Sequence, residues 1–128
     1  MILKTRYDLV TRPIGGDEAW RILDWLLDCL HRHGVVEVVL IYGYDWDIGE
    51  KSWQDQTLQV ITVRDHVKET EDRESGLLGS DDLYIKVNEA VQIHFCHHEH
   101  LYLNYDQADL PLAKDLIDYF TQTIGLSR

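Results

Sequence analysis

The chain is 128 residues long and 45% hydrophobic, which suits one domain with a substantial core. It contains 23 Asp and Glu against 12 Lys and Arg, a formal net charge of -11. Phosphate backbones and anionic lipid surfaces repel such a charge, so direct nucleic-acid binding and membrane attachment are disfavoured. We expect a single domain over residues 1–128.

The sequence shows no signal for export or membrane insertion. No apolar run follows a basic segment at the start, and no stretch approaches the ~18 apolar residues of a membrane span. The two cysteines, Cys29 and Cys96, do not indicate a disulfide framework. These features predict a soluble protein of the reducing cytoplasm.

The first half of the chain predicts a strand, a helix and two further strands. Residues alternate from Leu3 to Leu9 with the period of a strand that has one wet face. Apolar residues then recur at helical spacing between a cap at Asp17 and an end near Gly34. The nearly continuous apolar run 35–42 is typical of a central strand, and residues 57–63 predict a third. The charged stretch 64–82 predicts a solvated loop or a short exposed helix.

The C-terminal third predicts a β-meander with one buried face, because its apolar residues share one parity across three short runs. These residues are Leu83, Ile85, Val87, Val91, Ile93, Phe95, Leu101, Leu103 and Tyr105. Asp109 then caps a last amphipathic helix. The predicted fold class is α+β, a two-layer sandwich in which two amphipathic helices cover a mostly antiparallel sheet of about six strands.

The segment from residue 94 to residue 100 is dense in metal-binding side chains. Imidazole and thiolate are a suitable donor set for zinc, and alternate side chains of a strand project to the same face. The spacing matches no known zinc framework, and alternate ligands along a strand lie ~7 Å apart, so a bend or another ligand is needed. The alternative is a polar hairpin that is simply rich in histidine. The candidate zinc ligands are His94, Cys96, His98 and His100.

A second segment, residues 42–55, alternates aromatic and acidic residues after a buried strand. Tyr and Trp supply rigid contact area, and carboxylates pair with Lys or Arg, which is the composition of an interface hot spot. The alternative is that the tryptophans fold inward. The candidate partner-binding residues are Tyr42, Tyr44, Asp45, Trp46, Asp47, Glu50 and Trp53.

These patterns support three hypotheses about function, and no catalytic motif decides among them. The first is a non-catalytic domain that binds a basic protein. In size and charge alone the chain resembles small acidic inhibitors of cationic nuclease toxins, such as immunity proteins and antitoxins. The second is a zinc-binding or metal-dependent hydrolytic protein that uses the segment 94–100. The third is a self-associating subunit, such as a homodimer.

Overall fold

A computed structural model of the chain describes residues 7–43, 54–73, 78 and 81–127. One antiparallel sheet of six strands, in the order β1-β6-β5-β4-β2-β3, forms the first layer. The strands are β1 (Leu9–Val10), β2 (Glu37–Gly43), β3 (Asp55–Gln59), β4 (Asp82–Asn88), β5 (Val91–Phe95) and β6 (Leu101–Tyr105). The helices are α1 (Gly16–Arg32), α2 (Val60–Asp72) and α3 (Pro111–Asp118), and α3 continues directly as a π-helical segment, Tyr119–Ile124. This arrangement confirms the predicted α+β sandwich.

The helices cover one face of the sheet, and their apolar stripes join it in a single hydrophobic core. Phe95, Leu83 and Leu101 lie side by side across β5, β4 and β6, and all three are fully buried. Their common face confirms the parity predicted for the meander. Among the helices that the structure describes, none is both long and apolar enough to cross a membrane.

The meander keeps its parity through its two turns. Between β4 and β5 the strand pairing shifts by one residue between Lys86 and Asn88. Beyond this irregularity Ile85 pairs with Ile93, so both stay on the buried face. Between β5 and β6, a hydrogen bond from Glu99 N to the Cys96 carbonyl closes a turn in which Glu99 has a φ of 69°. A three-residue loop of this kind ends in a left-handed residue, and it leaves Phe95 opposite Leu101.

The helix α2 was predicted only in part, because a short exposed helix was one of two alternatives for the stretch 64–82. The expected third strand ends at Gln59, and residues 60–63 already belong to the helix, whose buried side chains are Val60, Val63, Val67 and Thr70. These positions follow helical spacing, but β-branched residues at 60–63 also suit a strand, so the sequence pattern does not fix the boundary between β3 and α2. The stretch expected to be a solvated loop or a short exposed helix therefore contributes to the core.

Two predicted helix caps are also corrected. At the start of α1 the cap position is Gly15, and Asp17 lies in the first turn; α3 begins at Pro111, so Asp109 lies outside it. The predicted end of α1 is confirmed. Gly34 has a φ of 77°, and hydrogen bonds from Gly34 N to His31 O and from Val35 N to Leu30 O close the helix. These two bonds form a Schellman motif, which requires a left-handed residue and so favours glycine at position 34.

The second face of the sheet is polar, as predicted, yet it is largely removed from solvent. Lys86, Gln92, His94 and Asn104 are each buried. A buried polar group costs free energy unless it finds a partner, so such a face is retained only where its groups are held in a network. The network around His94 is the one that concentrates reactive side chains.

Candidate metal centre

Strand pairing builds a cluster of reactive side chains on the polar face. Tyr84 of β4, His94 of β5 and Tyr102 of β6 are cross-strand neighbours. Asp82 lies two residues before Tyr84 in β4, on the same face, and is paired with Gly43 of β2.

Asp82 is the centre of the cluster. Its Oδ1 accepts hydrogen bonds from His94 Nε2 at 2.8 Å and from the backbone N of His97 at 3.1 Å. Its Oδ2 accepts a third bond from His97 Nδ1 at 2.9 Å. Burial alone would raise the pKa of Asp82, but the hydrogen bonds from His94 and His97 outweigh it and hold that pKa below its ordinary value. Asp82 is therefore a carboxylate at neutral pH.

His94 is held in one orientation by aromatic neighbours. Its ring stacks on Tyr84 at 3.8 Å between centroids, with 15° between the planes. Its second nitrogen, Nδ1, is hydrogen-bonded to the Tyr7 hydroxyl at 3.1 Å, and Tyr7 in turn stacks on Tyr102. A histidine fixed through one nitrogen presents the other in a defined direction, which is how metal-binding histidines are usually supported.

Three tyrosines surround this histidine and remain uncharged at neutral pH. Burial raises the pKa of Tyr7 and that of Tyr84. Burial, with a hydrogen bond to Cys96, raises the pKa of Tyr102 to about 12. The phenols can therefore donate and accept hydrogen bonds around the cluster without adding charge to it.

Cys96 completes the group. Its thiol is buried, and one donor atom from each of Asp82, His94 and Cys96 can be chosen so that all three lie within 4.8 Å of one another. A tetrahedral zinc ion with bonds of about 2.0–2.3 Å places its ligands about 3.3–3.8 Å apart. The three side chains would reach such an ion after small movements.

Cys96 does not have the geometry of an activated nucleophile. His97 Nδ1 lies 3.9 Å from Sγ and already donates to Asp82. In a catalytic triad, one nitrogen of the base faces the nucleophile and the other faces the carboxylate. Here the same nitrogen faces both, so this group is better suited to holding an ion than to nucleophilic attack.

The four candidate zinc ligands are not brought together as one set. His94 and Cys96 meet at Asp82, which the sequence analysis did not single out. Cys96 also groups with His97 and His98, which lie in the exposed turn. His100 Nδ1 instead donates to the backbone carbonyl of Thr11 at 2.8 Å. Asp82 of β4 is thus the third donor beside His94 and Cys96, and the β5–β6 turn brings His97 and His98 to Cys96.

The partner-binding segment lies almost entirely outside the described residues. Tyr42 is the exception, and it is buried in β2 at 4% exposure as part of the core. The other candidates, residues 44, 45, 46, 47, 50 and 53, remain a prediction from sequence.

The described fold and cluster thus define an α+β domain with a Cys, His and Asp group on its sheet. Comparisons of the chain with protein families, with curated proteins and with solved structures find no match.

Proposed function

We propose that the chain is a zinc-binding protein whose ion is held by Asp82, His94 and Cys96. The observation that carries the proposal is the convergence of three different donor types, from β4, β5 and the residue that follows β5, to within 4.8 Å. Burial alone does not account for this arrangement, because a carboxylate, an imidazole and a thiol can each be buried without facing one another.

The donor set selects the class of ion. Zinc accepts sulfur, nitrogen and carboxylate oxygen in one tetrahedral site, whereas magnesium and calcium require oxygen ligands. In the metal-free protein, His94 Nε2–H donates to Asp82. Zinc bound at Nε2 would displace that proton, and the imidazole would stay neutral by carrying its proton on Nδ1, from which it would donate to the Tyr7 hydroxyl oxygen. The hydrogen bonds of the metal-free protein therefore preorganise two of the three ligands.

The fourth position is open to His97 or to water. His97 has a half-exposed side chain and lies beside both Asp82 and Cys96. Ligation by His97 would give a closed, structural site, whereas water would give an open one in which zinc can activate that water for hydrolysis. Replacing His97 with alanine distinguishes the closed site from the open one. Loss of an outer-shell contact weakens zinc binding by ~10–100-fold, and a larger loss would identify His97 as a ligand.

The proposal is tested by zinc titration against a chelating dye. We expect Cys96→Ser and His94→Gln each to remove one tightly bound zinc per chain, because each takes away a ligand. The matched control is His100→Asn, which removes an imidazole from the same segment while its amide can replace the donor to Thr11. It should leave zinc binding unchanged. Equal losses in all three variants would show nonspecific binding by a histidine-rich surface and would contradict the proposal.

A second candidate function is binding to a basic protein, and the pairing of charges favours it. Among the described residues, six of the cations already form ion pairs with acids: Arg12, Arg32, Arg64, Lys68, Arg73 and Lys86. With 23 acids against 12 cations, the chain has more acids than cations that could pair with them, and this excess would attract a positive partner.

This second candidate predicts a local effect of charge reversal. A basic partner captured from a native cell extract should be released by Asp45→Lys with Asp47→Lys, because the aromatic and acidic segment supplies the contact. Asp65→Lys with Asp109→Lys changes the net charge equally at two exposed positions elsewhere and should retain the partner. Release by both double variants would reduce the interaction to general charge attraction and contradict a specific interface.

A further inference from the structure

The C-terminal turn of α1 carries a second convergence of unlike donors, in the helical layer and not on the polar face of the sheet. Cys29 and His33 are four residues apart, so they lie one above the other on one face of the helix. Asp115 of α3 faces them, and its Oδ2 lies 2.7 Å from His33 Nε2. One donor atom from each of these three residues falls within 4.8 Å of the others.

The burial of these three side chains is graded. Cys29 is fully buried, the His33 side chain is 21% exposed, and that of Asp115 is 49% exposed. An isolated histidine–carboxylate pair at a surface stabilises a protein little. Here the His33–Asp115 pair lies over the buried Cys29 thiol. The soft sulfur ligand is therefore on the inner side of the group, and the harder nitrogen and oxygen ligands are on its outer side.

The outer side of this space is open to solvent. Asp115 also lines a groove of about 630 Å³, whose wall includes Trp25 and Tyr119 stacked at 3.6 Å. Water from this groove can supply the fourth position that a tetrahedral ion with three protein ligands requires. The thiol proton released on binding passes to the same solvent.

We propose that Cys29, His33 and Asp115 form a second zinc site, independent of the site on the sheet, which fastens α3 to α1. The ion joins positions 82 residues apart, counted from His33 to Asp115. A link between distant positions removes conformational freedom from the unfolded chain, so the zinc binding free energy stabilises the fold. The role is structural, and it does not depend on what the sheet site binds.

The test compares the zinc content of Cys29→Ser, Cys96→Ser and the double variant after dialysis of the full chain. We expect about two zinc ions per wild-type chain, one in each single variant and none in the double variant. His33→Gln should behave as Cys29→Ser does, and circular dichroism reports whether each variant is folded. Added zinc should raise the melting temperature of Cys96→Ser but not that of the double variant.

The outcomes separate the two sites. If Cys29→Ser and His33→Gln keep the full zinc content of the wild type while Cys96→Ser loses one ion, the second site is disproved and the sheet site stands. If Cys96→Ser alone keeps the full content, the sheet site is disproved and the second site stands. A Cys29→Ser protein that is unfolded would leave the decision to His33→Gln, whose substitution is at a partly exposed position.

Discussion

Replacing Asp82 with alanine should both abolish zinc binding at the sheet site and lower the free energy of unfolding of the metal-free protein by about 2–4 kcal/mol. The carboxylate accepts three hydrogen bonds, and its side chain is only 12% exposed. Its removal leaves the donors on His94 and His97 without their acceptor. Denaturant unfolding in the presence of a chelator measures this cost without a contribution from metal.

The hydrogen bonds of the Asp82 carboxylate also make the stability of the metal-free protein depend on pH in the acid range. Because the pKa of Asp82 is lowered on folding, its stabilisation is fully present above the unfolded value of about 3.9 and is lost as the pH falls through the lower, folded value. The stability difference between wild type and Asp82→Asn should therefore shrink below about pH 4. A difference that grows on acidification would contradict the hydrogen-bonded carboxylate described above.

Replacing Phe95 with alanine should lower the free energy of unfolding by about 3–5 kcal/mol, the largest effect that we expect from one core residue. Phe95 is fully buried at the centre of the meander, between Leu83 and Leu101. Its neighbours along the chain, His94 and Cys96, point to the opposite face, so the cavity would also loosen the strand that carries the zinc ligands.

The matched control for Phe95 is Val36→Ala, because Val36 is 66% exposed. Its stability should change by no more than about 0.5 kcal/mol. Denaturant unfolding curves of both variants provide the measurement. A cost below about 1 kcal/mol for Phe95→Ala would show that β5 does not lie at the centre of the core.

The meander could be predicted from sequence because its information is local. Alternation along each run places Leu83, Ile93 and Leu103 on one face, and turns of compatible length keep them there. The helix α2 could not be separated from a strand in the same way. Its first turn is β-branched, and it follows β3 without a connecting loop, so tertiary packing of Val63 and Val67 decides the boundary.

Only part of the candidate site could be predicted from sequence, because its residues come from different strands. His94 and Cys96 stand out in the sequence, but Asp82 is distant along the chain and sits at the end of a charged stretch. One signal was available: with Leu83 paired to Phe95, the next pair in the same register joins Asp82 to Cys96. The Cys29, His33 and Asp115 group depends on the packing of α3 against α1, which no local pattern specifies.

The central claim, that Cys96 is a zinc ligand beside Asp82 and His94, is tested most directly by the zinc K-edge X-ray absorption of Cys29→Ser loaded with one equivalent of zinc. Cys96 is the sole cysteine in that variant. The proposal predicts one sulfur neighbour at about 2.3 Å together with nitrogen and oxygen neighbours at about 2.0–2.2 Å. A shell of nitrogen and oxygen alone would contradict it, since the ion would then be bound by side chains other than this group.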